Sequence, residues 1–140
     1  MINDIISAIS HTLDAKFGYP VYAETVEQGL MPPCFIINVV DAENEPLLST
    51  RANRIYNFDV VYISRSGARA EMYNVADKLI ATLNIITMSD NTKLLSYDKR
   101  YEIVDDDMHF FVTYQMTVIG AESKDPMENY SLQNGISRRK

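Results

Sequence analysis

Residues 108–118, MHFFVTYQMTV, repeat with a period of two: Met108, Phe110, Val112, Tyr114, Met116 and Val118 fall on one side, His109, Thr113, Gln115 and Thr117 on the other. Successive side chains of a strand point to opposite faces, so this pattern fits a long strand and no helix. One face is too apolar to leave in water, so such a strand belongs to a sheet that packs against something else. A second stretch, RIYNFDVVYIS, repeats the constraint, with Tyr56, Phe58, Val60 and Tyr62 against Ile55, Asn57, Asp59, Val61 and Ile63.

Two amphipathic helices are available to cover that face. Ile2, Ile5, Ile6, Ile9, Leu13 and Phe17 recur at three- and four-residue steps, with Asn3 or Asp4 placed to cap the start and Gly18 to end it. Met72, Val75, Ala76, Leu79, Ile80 and Leu83 form a second stripe opposite Glu71, Asn74, Asp77 and Lys78, after a turn at Ser64, Arg65, Ser66 and Gly67 that is placed to cap it. Residues 19–24 read as a short strand, set at an edge because Pro20 cannot donate a ladder hydrogen bond, followed by a loop over 25–33. CFIINVV, residues 34–40, reads as a central strand. The polar stretch DAENEPLLSTRAN, residues 41–53, reads as the long projecting loop of a hairpin. A weak strand over 93–97 runs on into 101–104. The predicted fold class is α+β: an antiparallel sheet of roughly four to five strands with two helices packed on one face and a long β-hairpin loop. At 140 residues this is one domain, spanning 1–120. Residues 121–140 have few apolar side chains, no clear period, Pro126 and Gly135, and read as an extended or disordered C-terminal tail that orders on a partner.

The formal charge is −6; the last twenty residues carry four basic and three acidic groups, a net +1, which leaves residues 1–120 at −7. An acidic body repels duplex DNA, and the short end Arg138, Arg139, Lys140 does not reverse that. Cys34 is the single cysteine, so no intramolecular disulfide forms and a reducing compartment is expected. It follows Pro32 and Pro33 and precedes an apolar run, the setting of an inert buried thiol. The first sixteen residues show neither a signal peptide nor a membrane anchor, and the expected location is the cytosol. His11 lies off the first apolar stripe and reads as a surface residue.

Asp105, Asp106 and Asp107, with His109 two residues on, are the one arrangement that suggests chemistry. Were Asp105, Asp107 and His109 in one strand, they would share a face and offer two carboxylates and an imidazole to a divalent cation, the basis of a small metal-dependent enzyme. The competing reading is a solvated turn, which favours carboxylates for their local hydrogen bonds, and it accounts better for a cluster between two strands. No glycine-rich phosphate loop, GxSxG, HExxH or paired cysteines occur, and no cofactor is expected. Two features exceed the needs of an inert monomer: Leu47 and Leu48 on a polar loop, and Met127, Tyr130, Leu132 and Ile136 scattered through the polar tail. Apolar groups so placed suggest docking on another chain.

MPPCFIINVV with its polar hairpin loop, then NRIYNFDVVYISRSGARAEMYNVADKLIATL and the final alternating strand, resembles the tail terminator proteins of long-tailed bacteriophages and related phage-tail-like particles over residues 1–120. The resemblance implies a structural protein without an active site. It would be a six-membered ring of identical subunits on the end of the tail tube, stopping tube growth and presenting a surface for the head. The implied partners are further copies of the chain, the tube protein and head–tail connector proteins, with DNA passing through the ring without specific binding and no membrane involved. The implied location is the host bacterial cytoplasm during assembly and then the head-proximal end of the tail. A neck or head–tail connector is a near alternative in the same class. Six bodies at −7 sum to −42 around such a channel, an acidic lining that keeps a polyanion from sticking. Asp105, Asp106 and Asp107 are then candidates for the lumen or a ring face. Glu43, Glu45, Leu47, Leu48, Arg51 and Arg54 on the projecting loop are candidates for contact with the tube or the neighbouring subunit.

Overall fold

The computed structural model describes residues 1–23 and 29–119. The described elements run α1 (Ile2–Phe17), β1 (Val21–Tyr22), β2 (Cys34–Pro46), β3 (Arg51–Ile63), α2 (Arg69–Thr82), β4 (Ile85–Thr87), β5 (Lys93–Val104) and β6 (Asp107–Ile119). They make a mixed α+β structure with one six-stranded sheet in the order β1-β2-β3-β6-β5-β4. The two strands with the cleanest alternation, β3 and β6, lie side by side at its centre, antiparallel from Tyr62 opposite Met108 to Arg51 opposite Ile119.

Both helices pack on the face that the apolar positions of these strands share. Ile5, Ile9 and Leu13 of α1 and Met72, Ala76 and Leu79 of α2 are buried against Phe35, Ile37, Phe58, Val60, Phe110 and Val112. Each of these side chains larger than alanine contributes about 1.5–3 kcal/mol when taken fully out of water. Two tyrosines place polar atoms in this core and satisfy them. Tyr114, buried at the middle of β6, donates its hydroxyl to the carbonyl of Leu83 at the end of α2. Tyr62, near the end of β3, donates to the Glu71 carboxylate, which also accepts from Ser66 Oγ at 3.0 Å. Glu71 sits in the first turn of α2, where the helix dipole favours a negative charge, so one carboxylate joins strand, turn and helix.

Several expectations are corrected. The cap of α1 is Met1, with no side-chain cap bond; Asp4 lies in the first turn, 3.7 Å from the N-terminal amine. The cap of α2 is Ala68, and the serines of the preceding turn bond within it, Ser64 Oγ accepting from Gly67 N–H and Ser66 Oγ from Ala68 N–H. Ile80, assigned to the buried stripe, is exposed because α2 turns that position off the sheet. The strand after α1 is only Val21–Tyr22, and it pairs parallel with β2, so the sheet is not wholly antiparallel. The long hairpin loop is strand: β2 continues to Pro46 and β3 begins at Arg51, pairing Asp41 with Asn57 through Pro46 with Ala52 and leaving only 47–50 as the turn. Six strands replace four to five, the addition being β4, three residues with Ile86 alone buried. The weak strand is one element, β5, with a register shift between Ser96 and Asp98. The predicted tail at 121–140 lies outside the described residues.

Candidate functional site

The face of the sheet turned away from the helices is built from the other half of each alternation, and its polar groups are organised in rows. Thr113 on β6 donates its hydroxyl to Asn57 Oδ1 on β3, and Asn57 Nδ2 donates to the Asp41 carboxylate on β2. Four residues along each strand the same row recurs, Thr117 Oγ1 donating to Asn53 Oδ1 at 2.8 Å and Asn53 Nδ2 to Glu45 Oε1 at 3.2 Å. Each row runs hydroxyl, amide, carboxylate and ends on an acid at the outer strand. Glu43, opposite Ile55, lies between the two acids on the same face.

Farther along, Asp59 holds His109, with Nδ1 2.9 Å from Oδ2. His109 stacks on Phe111 at 6.3 Å between ring centroids, and the Arg100 guanidinium lies 4.3 Å over Phe111, within cation–π range. A shallow cleft of about 200 Å³ between Asp41, Asn57, Asp98, Arg100 and Phe111 separates the two groups. Carboxylates dominate this face, with Asp41, Glu43, Glu45, Asp59, Asp98 and Glu102 against Arg51 and Arg100.

The aspartate cluster is at one end of the sheet. Asp105 and Asp106 are the two central residues of the β5–β6 turn, at φ 52° and 66°, the paired left-handed backbone of the tight hairpin turn that Asp and Asn tolerate. Asp107 is already strand, opposite Val104. Burial raises its carboxyl above the usual range; His109 opposes this, and Asp106 and Asp105 add to it. The set proposed for a metal therefore does not share one strand: Asp105 is in the turn, and His109 Nδ1 is given to Asp59. Among the described residues no three His, Cys, Asp or Glu side chains are grouped to hold a metal ion.

The leucine pair is at the opposite end, on the β2–β3 turn, where Leu47 N–H donates to the Arg51 carbonyl at 2.9 Å and Ser49 takes φ 68°. Leu48 is 89% exposed and Leu47 41%. The predicted contact residues of this hairpin divide by face. Glu43, Glu45 and Arg51 project from the open face, whereas Arg54 lies on the helix side of the ladder, where its Nε donates to Asn44 Oδ1 at 2.8 Å. Cys34 is buried, and burial pushes its thiol up, as expected of an inert cysteine. His11 is exposed.

The two rows were missed from the sequence. Their signal is a shared spacing of four, Asp41 and Glu45, Asn53 and Asn57, Thr113 and Thr117, which has meaning only once the three strands are in register.

What these residues make is a display surface with two distinct ends, the class of a structural assembly protein. The chain matches the model of the phage tail terminator protein family over residues 4–126 and belongs to that family. It is a structural protein of the phage tail and works among the other tail components. A search of curated proteins finds no match. No described helix is long and apolar enough to cross a membrane.

Proposed function

We propose that the protein forms a ring, six copies around, that caps the tail tube, ends its growth and presents the surface on which the head is joined. The observation that carries this reading beyond family membership is the open sheet face, where carboxylates stand in ordered rows instead of converging on a reactive group. In the ring this face lines the channel, and DNA passes it without specific binding because like charges repel at short range. The function then rests on surfaces alone, with no catalysis, metal or cofactor.

The two ends of the sheet take different partners. Leu47 and Leu48, with Arg54 on the strand behind them, dock on the tube protein, and Glu43, Glu45 and Arg51 stand beside them at that mouth of the channel; Asp105, Asp106 and Asp107 form the opposite rim, toward the connector proteins of the head. Residues 1–120 are the ring body. Assembly takes place in the host cytoplasm and leaves the protein at the head-proximal end of the virion tail.

Electron microscopy of particles made with and without this gene tests the reading. Overlong tails that do not join heads are expected in its absence. Tails of normal length that fail to join heads would move the role to the neck, and normal particles would reject both. Leu47→Asp with Leu48→Asp is expected to leave the fold intact, since both side chains are exposed, and to abolish attachment to tails. Retention of binding by the folded double variant would remove this end from the interface.

A further inference from the structure

We propose that neighbouring subunits join by adding the outer edge of β2 in one copy, residues 39–46, to the outer edge of β5 in the next, residues 98–104, so that the sheets run on as one. This rests on the ring reading above and specifies its interface. Among the described residues β1 pairs with β2 only at Phe35 and Ile36, and β4 pairs with β5 only at Lys93, Leu94 and Leu95. Both long edges therefore continue past their short guards with no strand beside them among the described residues. An open edge of this length invites pairing with another chain unless it is blunted, typically by lysine or by charge projecting across it. Residues 39–46 contain no Lys or Arg; of their acids Asp41 and Glu45 are bonded inward to Asn57 and Asn53, Pro46 is the last residue of the strand, and Val40, displaced by the register shift between Val39 and Asp41, is 53% exposed. The cations of β5 are turned back on their own subunit: Lys99 Nζ bonds Asn84 at 2.9 Å and Ser96 at 2.7 Å, and Arg100 lies over Phe111.

The two edges fit each other in sense and in face. β2, β3, β6 and β5 alternate in direction, so β5 of one copy and β2 of the next run antiparallel when laid side by side with the helices on one side. Both edges alternate in the same way, with Val39 and Ala42 of β2 and Tyr101 of β5 on the helix side and Asp41 of β2 and Arg100 of β5 on the open side, so the joined sheet keeps one covered and one open face. The edges differ, so each subunit uses one of each and the contact is heterologous, the kind that closes into a ring.

The test uses tails carrying full-length variants, treated with a short bis-maleimide; Cys34, being buried, serves as the unreactive background. Val40→Cys alone and Glu102→Cys alone are expected to stay uncrosslinked, whereas Val40→Cys with Glu102→Cys in one chain should give a ladder of multimers ending at the closed ring. Cross-linking by Val40→Cys alone would mean that β2 pairs with itself, and a double variant present on tails without a ladder would place the contact elsewhere; either result overturns the proposal. Tail length is scored on the same particles. Normal stopping without a ladder keeps the capping role and rejects edge pairing, a ladder in particles whose tails do not need the gene does the reverse, and absence of the chain from tails rejects both.

Discussion

Tyr114 brings a phenol into the most enclosed part of the core, where its hydroxyl is held by the last turn of α2 through the Leu83 carbonyl. Tyr114→Phe keeps the ring and strands that carbonyl, so a loss of about 1–3 kcal/mol is expected, the cost of a buried acceptor without its donor; urea denaturation at neutral pH measures it. Asp107 makes a prediction of opposite sign. Its carboxyl is raised above the ordinary 3.8 by burial, against the opposing effect of His109, with Asp106 and Asp105 adding to the rise. A carboxyl raised on folding holds its proton more tightly in the folded chain than in the unfolded one. Stability is therefore lost as pH climbs from the unfolded value through the folded one. Asp107→Asn is expected to be more stable than the natural chain at pH 7, with the advantage fading as pH falls to about 3, below the ordinary aspartate pKa; thermal melts across pH check it.

At the level of elements, the parts that bury one face were legible and the parts that bury neither were not. β3, β6 and both helices follow from periodicity because the core reads only one side of each. The far half of β2, from Val40 to Pro46, is exposed throughout, so no apolar alternation records its strand and its polar residues read as a loop. β4 has a single buried residue, too little to show a period, and the shift near Tyr97 breaks the pattern of β5. The turn at Asp105 and Asp106 was legible from residue chemistry, while the Asp59–His109 pair depends on strand order and was not. What holds the exposed hairpin straight is the pair of threonine–asparagine–acid rows. Asn57→Ala removes the joint of one row and is expected to cost about 1 kcal/mol, a typical net hydrogen-bond contribution. Thr113→Val should add little on top of Asn57→Ala, because the two changes cut the same row, and a double-mutant cycle measures that coupling.

For the molecule as a whole, charge and architecture agree: the side with no helices holds most of the strand carboxylates, and the body carries −7. If that side faces passing DNA, Asp41→Lys with Glu45→Lys should turn a non-binding surface into one that retains duplex DNA. Retention should weaken steeply with added salt, as counterion release requires. Filter binding over a salt series checks this, and the natural chain should stay unbound throughout. The two rows also bear on how that surface would behave under traffic. An ordinary surface glutamate swings aside when another anion approaches, so its repulsion softens with contact. Here Asp41 and Glu45 are tethered by amides that are themselves tethered by hydroxyls, at a separation of about 13 Å along the strand. A channel wall made this way would work as a fixed grating, hard to the touch of a moving polyanion and equally indifferent to every base sequence that slides past it.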